Sequence, residues 1–338
     1  MRSRDGRVVR SGLSTGRPII VISRRLLLAC LALAPTSSRG QEGEATRRIV
    51  LGTATPGGSF PAFGRALVAA VNEVDPGLTI EPRITKGSTE NLALLREGKL
   101  DLALVQGEYA FDALNAQPTS GSGLTVVAPI DASPGLFVVP KASPIHGVED
   151  LRGCAVALGT RASGFTLMGR TVLLGSGIDP EHDIRPILLD DAGDGAVQVR
   201  DGRAAALWGA SLGWPGFKTL ADAPGGARFF GPAPEAVPKI LALRSSLRRL
   251  TVPAGSFKGQ DRALETVGSW SFILGRPGLD DAFVSRLVRA IDQGRNTLAR
   301  HYAQGHESDP RNLVSNVPAA WLHPATAIYL REIGAVPQ

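Results

Sequence analysis

Three times along this chain a short β-rich apolar run ends in a glycine- or serine-bearing turn and passes straight into a helical pattern. The stretches are "RIVLGTATPGGSF" from Arg48, "RITKGSTENL" from Arg83 and "VALGTRASGFT" from Val156. A strand that feeds a helix through so short a turn builds a βα unit, and successive units lay their strands side by side and mainly parallel. The rest of the body keeps the same alternation. Phe60, Phe63, Leu67, Val68 and Val71 recur at helical spacing, "LTIEPRI" reads as a strand, "STENLALLREG" as a helix stopped by Gly98, and "LDLALVQ" as a strand.

A second unit opens near "GLFVVPK". "CAVALG" and "IRPILL" read as strands, "SGFTLMGRTVLLGSG" as a helix capped by Gly175 or Gly177, and "GDGAVQVRDG" as a helix leading into "RAAALW". The two units rhyme: Arg96-Glu97-Gly98-Lys99 precedes one strand and Arg200-Asp201-Gly202-Arg203 another. The expectation is an α/β chain of two lobes, each a mainly parallel sheet flanked by helices, with a cleft between them. Residues 47–130 and 268–338 form the first lobe and residues 131–267 the second, joined by strands crossing near "VVAPID" and "VGSWSFIL". One long helix is expected after Asp280, carrying Phe283, Leu287, Ala290, Ile291, Leu298 and Tyr302 on one face, with a short final helix in "HPATAIYLREIG".

The turns themselves carry chemistry. Gly52-Thr-Ala-Thr-Pro-Gly57-Gly58-Ser59 has the spacing of a phosphate-binding loop, G-x-x-x-x-G-K-[ST], with Gly58 where the lysine belongs. Unpaired N–H groups at a helix start, aligned with the helix dipole, still make an anion site. Without the lysine a nucleotide's phosphates are poorly neutralised, whereas a carboxylate needs only two or three donors. Gly87 with Ser88, and Ser163 with Gly164, repeat the arrangement. Three such turns at the carboxyl ends of strands, divided between two lobes, point to a cleft that holds a small anion.

Charge is informative only by position. Eight of the 37 basic residues and one of the 31 acidic ones fall in residues 1–40, which leaves 29 against 30 in the body. The body therefore lacks the excess of a nucleic-acid binder. Residues 1–40 read as an export signal: arginines, the apolar run "LLLACLALA" at residues 26–34, then small polar residues. Nine apolar residues fall short of the about 20 a membrane span needs, so a removed leader and no stable membrane insertion of the body are expected. "SRRLLL" resembles a twin-arginine signal and "LLAC", ending at Cys30, a lipoprotein cleavage site, which is the less favoured reading.

An enzymatic alternative rests on "GASLG", residues 209–213, a match to the nucleophile elbow G-x-S-x-G that puts Ser211 after a strand. Asp261 or Asp292 with His301 or His323 would complete a triad in the right order. Against it, no oxyanion segment precedes the motif, and Trp214-Pro215-Gly216 interrupts the helix that should follow. The histidines form no metal-binding set, so neither metal nor cofactor is expected. Trp208 closes a strand as either a core ring or a lid over the ligand.

With "LGTATPGGSFPAFGRAL", "KGSTENLALLREGKLDLALVQ", "DLRGCAVALGTRASGFTLMGRTVLLGSGI", "VPAGSFKGQD" and "HPATAIYLREIG" in this order, the chain from Arg48 onward resembles the TAXI-type solute-binding subunits of tripartite ATP-independent periplasmic (TRAP) transporters. The resemblance implies a type II periplasmic binding protein that closes on a small carboxylate, such as glutamate, a 2-oxoacid or a dicarboxylate, and delivers it to membrane permease subunits. Carried over residue by residue, it implies ligand contacts from Ser59, Gly87, Ser88, Asn91, Gln106, Ser163, Gly164 and Thr166, with Trp208 a looser candidate. Positive charge is available from Arg161, inside the third turn, and from Arg83, near the end of a strand, where surface solvation is the plainer reading. The family's tyrosines after the first glycines are replaced here by Ser59-Phe60-Pro61, and its acidic strand residue by Ala204-Ala205-Ala206. A sensing module that presents a ligand to a signalling partner would use the same fold and cleft.

Overall fold

A computed structural model describes residues 48–117 and 123–336. The expected export leader, with its twin-arginine pattern and Cys30, lies outside the described residues. Strands and helices alternate through β1 (Ile49–Gly52), α1 (Ser59–Val74), β2 (Ile80–Arg83), α2 (Ser88–Arg96), β3 (Leu102–Val105) and α3 (Gly107–Asn115). The long β4 (Thr125–Pro140) leads to β5 (Ala155–Thr160), α4 (Gly164–Gly175), β6 (Arg185–Leu189), α5 (Asp194–Arg200), β7 (Ala206–Ala210) and α6 (Pro215–Ala221). Then come β8 (Ala227–Phe230), α7 (Val237–Leu243), β9 (Arg248–Val252), the long β10 (Leu264–Gly275), α8 (Asp281–Gln293), α9 (Arg295–His301) and α10 (Pro324–Glu332). No described helix is long and apolar enough to cross a membrane.

The strands run in the order β2-β1-β3-β10-β4-β7-β5-β6, with β8 against β4 and β9 against β10. Pairings among β1, β2 and β3, and among β5, β6 and β7, are parallel, as the βα turns require. The long strands are antiparallel: β10 pairs β3 through Phe272–Gly275 and β4 through Gly268–Gly275, while β4 continues past Pro134 to pair β7 and β8. The sheet is therefore mixed, and β4 and β10 pass from one lobe to the other.

Each lobe buries an apolar layer on both faces of its strands. In the first, Leu51, Leu104 and Ile273 meet Phe63 and Leu67 of α1 and Leu287 and Ile291 of α8, while Val105, Phe272 and Leu274 meet Leu95 of α2, Ala113 of α3 and Leu330 of α10. In the second, Val156, Leu158 and Trp208 meet Met168 and Val172 of α4 and Ile240 of α7, and Val138 and Leu207 meet Phe217 of α6. Strands buried on both sides read as continuous apolar runs, which is why "LALV" and "VVAPI" carry no polar alternation. The rhyme is structural as well. Gly98 and Gly202 follow α2 and α5 at φ +67° and +72°, and Lys99 and Arg203 each donate a backbone N–H to a carbonyl five residues back.

The expected helix beyond Asp280 is two helices, not one. It breaks at Gly294, where a Cβ would stand 2.9 Å from the carbonyl oxygen of Ala70. The absent side chain lets the junction touch α1 and turns α9 so that Tyr302 meets Phe63 edge-on, with ring centroids 5.4 Å apart.

Candidate functional site

The three turns singled out in the sequence converge on one cavity of about 50 Å³ between the lobes. From the first lobe it is lined by Thr55, Gly58, Ser59 and Phe60 at the start of α1, Gly87 and Ser88 at the start of α2, and Gln106 before α3. From the second come Thr160, Ser163, Gly164 and Phe165 around the start of α4, Ala192 before α5, and Trp208, Gly209 and Trp214 around the end of β7. These helices begin here because glycine and serine stand where the chain must leave the strand. Gly87 caps α2 at φ +115°, a conformation that costs a side-chain-bearing residue dearly, and the Ser163 hydroxyl caps α4 by accepting the N–H of Phe165 at 3.2 Å.

The lobes are closed over the cavity. Gly193 N–H donates to Pro56 O at 3.2 Å, Trp214 Nε1–H to Gly57 O at 2.9 Å, Ala192 N–H to Thr55 Oγ1 at 3.2 Å and Thr89 Oγ1–H to Ala162 O at 3.2 Å. Arg244 of the second lobe also pairs with Asp112 of the first, at 2.8 Å. The phenyl rings of Phe60 and Phe165 meet across the gap at a 53° tilt, with centroids 6.1 Å apart.

Seven of the ten residues expected at the ligand line this cavity: Ser59, Gly87, Ser88, Gln106, Ser163, Gly164 and Trp208. The other three lie elsewhere. Asn91 is fully buried behind the wall, where its Nδ2 donates to Thr53 O at 2.8 Å and Leu104 O at 2.9 Å and so ties the ends of β1 and β3 together. Thr166 is buried too, its hydroxyl pointed back at Leu158 O and Thr160 O at 3.0 and 2.7 Å. Arg161 is exposed on the loop before α4. Trp208 lies in the core with one edge on the cavity: it is 1% exposed, packs on Phe137 and donates Nε1–H to Phe165 O at 2.6 Å.

Gln106 is held by a relay. Its Nε2 donates to Ser269 Oγ at 2.6 Å, Ser269 donates to Glu108 Oε2 at 2.9 Å, and the Glu108 backbone N–H returns to Gln106 Oε1 at 3.2 Å. Burial pushes the Glu108 carboxyl up to about 7, only partly opposed by hydrogen bonds from its own backbone and from Ser269. Sequence reasoning missed Glu108, because an acid in the first turn of a helix ordinarily faces water. It also missed Phe165 and Trp214 as walls, although aromatic residues in two cleft turns were a visible signal.

Ser211 occupies a different place. It is the non-glycine residue at positive φ among the described residues, +73°, as an elbow serine would be. Yet it is 1% exposed, and its hydroxyl meets Asp131 Oδ2 at 3.1 Å, Tyr302 OH at 2.7 Å and Gln304 Oε1 at 3.0 Å. None of Asp261, Asp292, His301 or His323 is among its partners: His323 accepts the N–H of Ala325, and Asp292 pairs with Arg295 and Arg311. Asp131 also accepts from Ser133 and Tyr302, and burial raises its carboxyl. Beside it, burial and the Asp131 charge push Glu307 up to about 7. This cluster sits where β4 and β10 cross between the lobes.

A family model described as the NMT1-like family matches residues 51–334, most of the chain and all of the cavity. The chain belongs to the NMT1-like family. Among solved structures, this NMT1-like chain is similar to the alkanesulfonate-binding protein SsuA of Xanthomonas axonopodis pv. citri bound to MOPS, at 17% identity and TM-score 0.46 over 86% of this chain and 94% of that one. It is likewise similar to the periplasmic aliphatic sulphonate binding protein SsuA of Escherichia coli, at 18% identity and TM-score 0.46 over 86% and 94%. An ancestral arginine-binding protein bound to arginine is similar at 13% identity and TM-score 0.48, over 76% of this chain and 96% of that one. Likenesses this distant leave the ligand to be argued from the cavity.

Proposed function

We propose that this protein is an exported, periplasmic solute-binding subunit of the TAXI type, which captures a small carboxylate between its lobes and hands it to the permease subunits of a TRAP transporter. The lobes are those read from the sequence, residues 47–130 with 268–338 and residues 131–267, and β4 and β10 serve as the hinge. The single observation that supports capture is the convergence of the α1, α2 and α4 N-termini, with the hydroxyls of Ser59, Ser88 and Ser163, on one closed cavity. Such donors complement a carboxylate's two oxygens without a cation. Ligand would bridge donors of both lobes, so its binding energy is available only in the closed state, and a permease can read closure as occupancy. No bond is made or broken.

The reading is tested by thermal shift of the exported protein against amino acids, 2-oxoacids, dicarboxylates and simple carboxylic acids. A ligand at about 100 times its Kd adds roughly 2.7 kcal/mol, several degrees of Tm. Ser163→Ala, which removes a charge-assisted hydrogen bond, weakens binding by roughly 1.5–3 kcal/mol, about one to two decades. The reading is overturned if no acid of any class raises Tm.

A further inference from the structure

The cavity narrows the solute beyond "carboxylate". Resting on the binding-protein reading above, we infer that the ligand is a short carboxylic acid with a single negative charge and an apolar body, and that amino acids and dicarboxylates are rejected. Among the described residues, no Asp, Glu, Lys, Arg or His lines the cavity. The polar groups divide into two sets. In the first, hydroxyl protons stand uncommitted: the Ser59 and Thr160 hydroxyls make no hydrogen bond among the described residues, and those of Ser88, Ser163 and Thr55 only accept, from Gln106 N–H, Phe165 N–H and Ala192 N–H. With the helix N-termini beside them they supply donors enough for one carboxylate.

The second set is already spent. Both ends of the Gln106 amide are engaged by Ser269 and Glu108, and both indole N–H groups donate to backbone carbonyls. Beyond these groups the large side chains that line the cavity are hydrocarbon: Phe60, Leu158, Phe165 and the two indole rings. An α-ammonium or a second carboxylate would be stripped of water here with no countercharge, which is the costly case for a buried ion. Size agrees. At roughly 10–15 Å³ per water-sized position, about 50 Å³ holds a carboxylate and a few carbons in the closed state.

A four-carbon series isolates each element of the proposal. Isothermal titration at pH 7.5 with butyrate, 2-aminobutyrate, succinate and butyramide changes one group at a time on nearly the same frame. Butyrate is expected to bind, with 2-aminobutyrate and succinate at least 100-fold weaker and butyramide at least 10-fold weaker. Ser59→Ala is expected to weaken butyrate 10- to 100-fold. Succinate or 2-aminobutyrate binding as tightly as butyrate overturns the inference and leaves the binding-protein reading intact. Butyramide matching butyrate overturns the requirement for charge. If none of the four binds and the wider acid screen is also silent, both fail together.

Discussion

At the scale of single residues, Glu108 carries the clearest prediction. Its carboxyl takes up a proton at about 7 in the folded chain against 4.5 as the ordinary value. Between those two pH values the folded state therefore binds more protons than the unfolded one, and stability falls as pH rises. At about 1.4 kcal/mol per pH unit of that interval, Glu108 costs on the order of 3 kcal/mol above pH 7 that is absent below pH 4.5. Glu108→Gln should thus gain stability relative to the wild type at pH 7.5 but not at pH 4.5, as read by calorimetry; an equal difference at both values would mean that the folded carboxyl keeps its ordinary value. Glu307 shares the window, so the variant flattens only part of the slope. Ser211→Ala removes a hydroxyl shared by Asp131, Tyr302 and Gln304 and should destabilise by about 1–3 kcal/mol in urea unfolding. Its rate on an activated ester should equal that of the parent protein, and a loss of turnover on substitution would revive the hydrolase. At this scale the sequence was legible where residue type answers a local need. Ser163 and Gly87 were readable as cap and turn, whereas the burial of Glu108, Asn91 and Thr166 follows from tertiary packing that no local pattern records.

At the scale of elements, the βα turns act as latches, and two glycines test this. Gly57 lies at φ +76°, and a Cβ there would overlap the backbone of Gly193 in the opposing lobe. Gly193 has an ordinary φ, and its Cβ would find the nearest atom at 3.4 Å. Gly57→Ala should hold the lobes apart and weaken ligand binding at least 10-fold, while Gly193→Ala should bind within about threefold of the wild type. Equal affinities in the two variants would show that closure does not pass through this contact. Gly294→Ala, pressed against Ala70 O and Ala290 O, should lower stability by about 1–3 kcal/mol in the same unfolding assay. Strands and helix starts were legible here because glycine stops and apolar runs are local signals. The break at Gly294 was not, because the same apolar spacing runs through both halves and only the contact with α1 distinguishes a bent pair from one helix.

At the scale of the whole molecule, two lobes share two long strands, and the buried Asp131–Ser211–Tyr302 cluster ties the second lobe to the first where those strands cross. The two-lobed α/β architecture and its crossing strands were legible from the alternation of elements. The mixed character of the sheet was less so, since the direction of β4 and β10 is set by long-range pairing. The central claim is that a small acid sits between the closed lobes on hydroxyls and helix starts of both. A crystal structure grown with butyrate tests it most directly. Carboxylate oxygens are expected within about 2.7–3.2 Å of the Ser59, Ser88 and Ser163 donors, with the hydrocarbon against Phe60 and Phe165. Density for the acid elsewhere, or lobes standing open around an acid held by one of them alone, would contradict it.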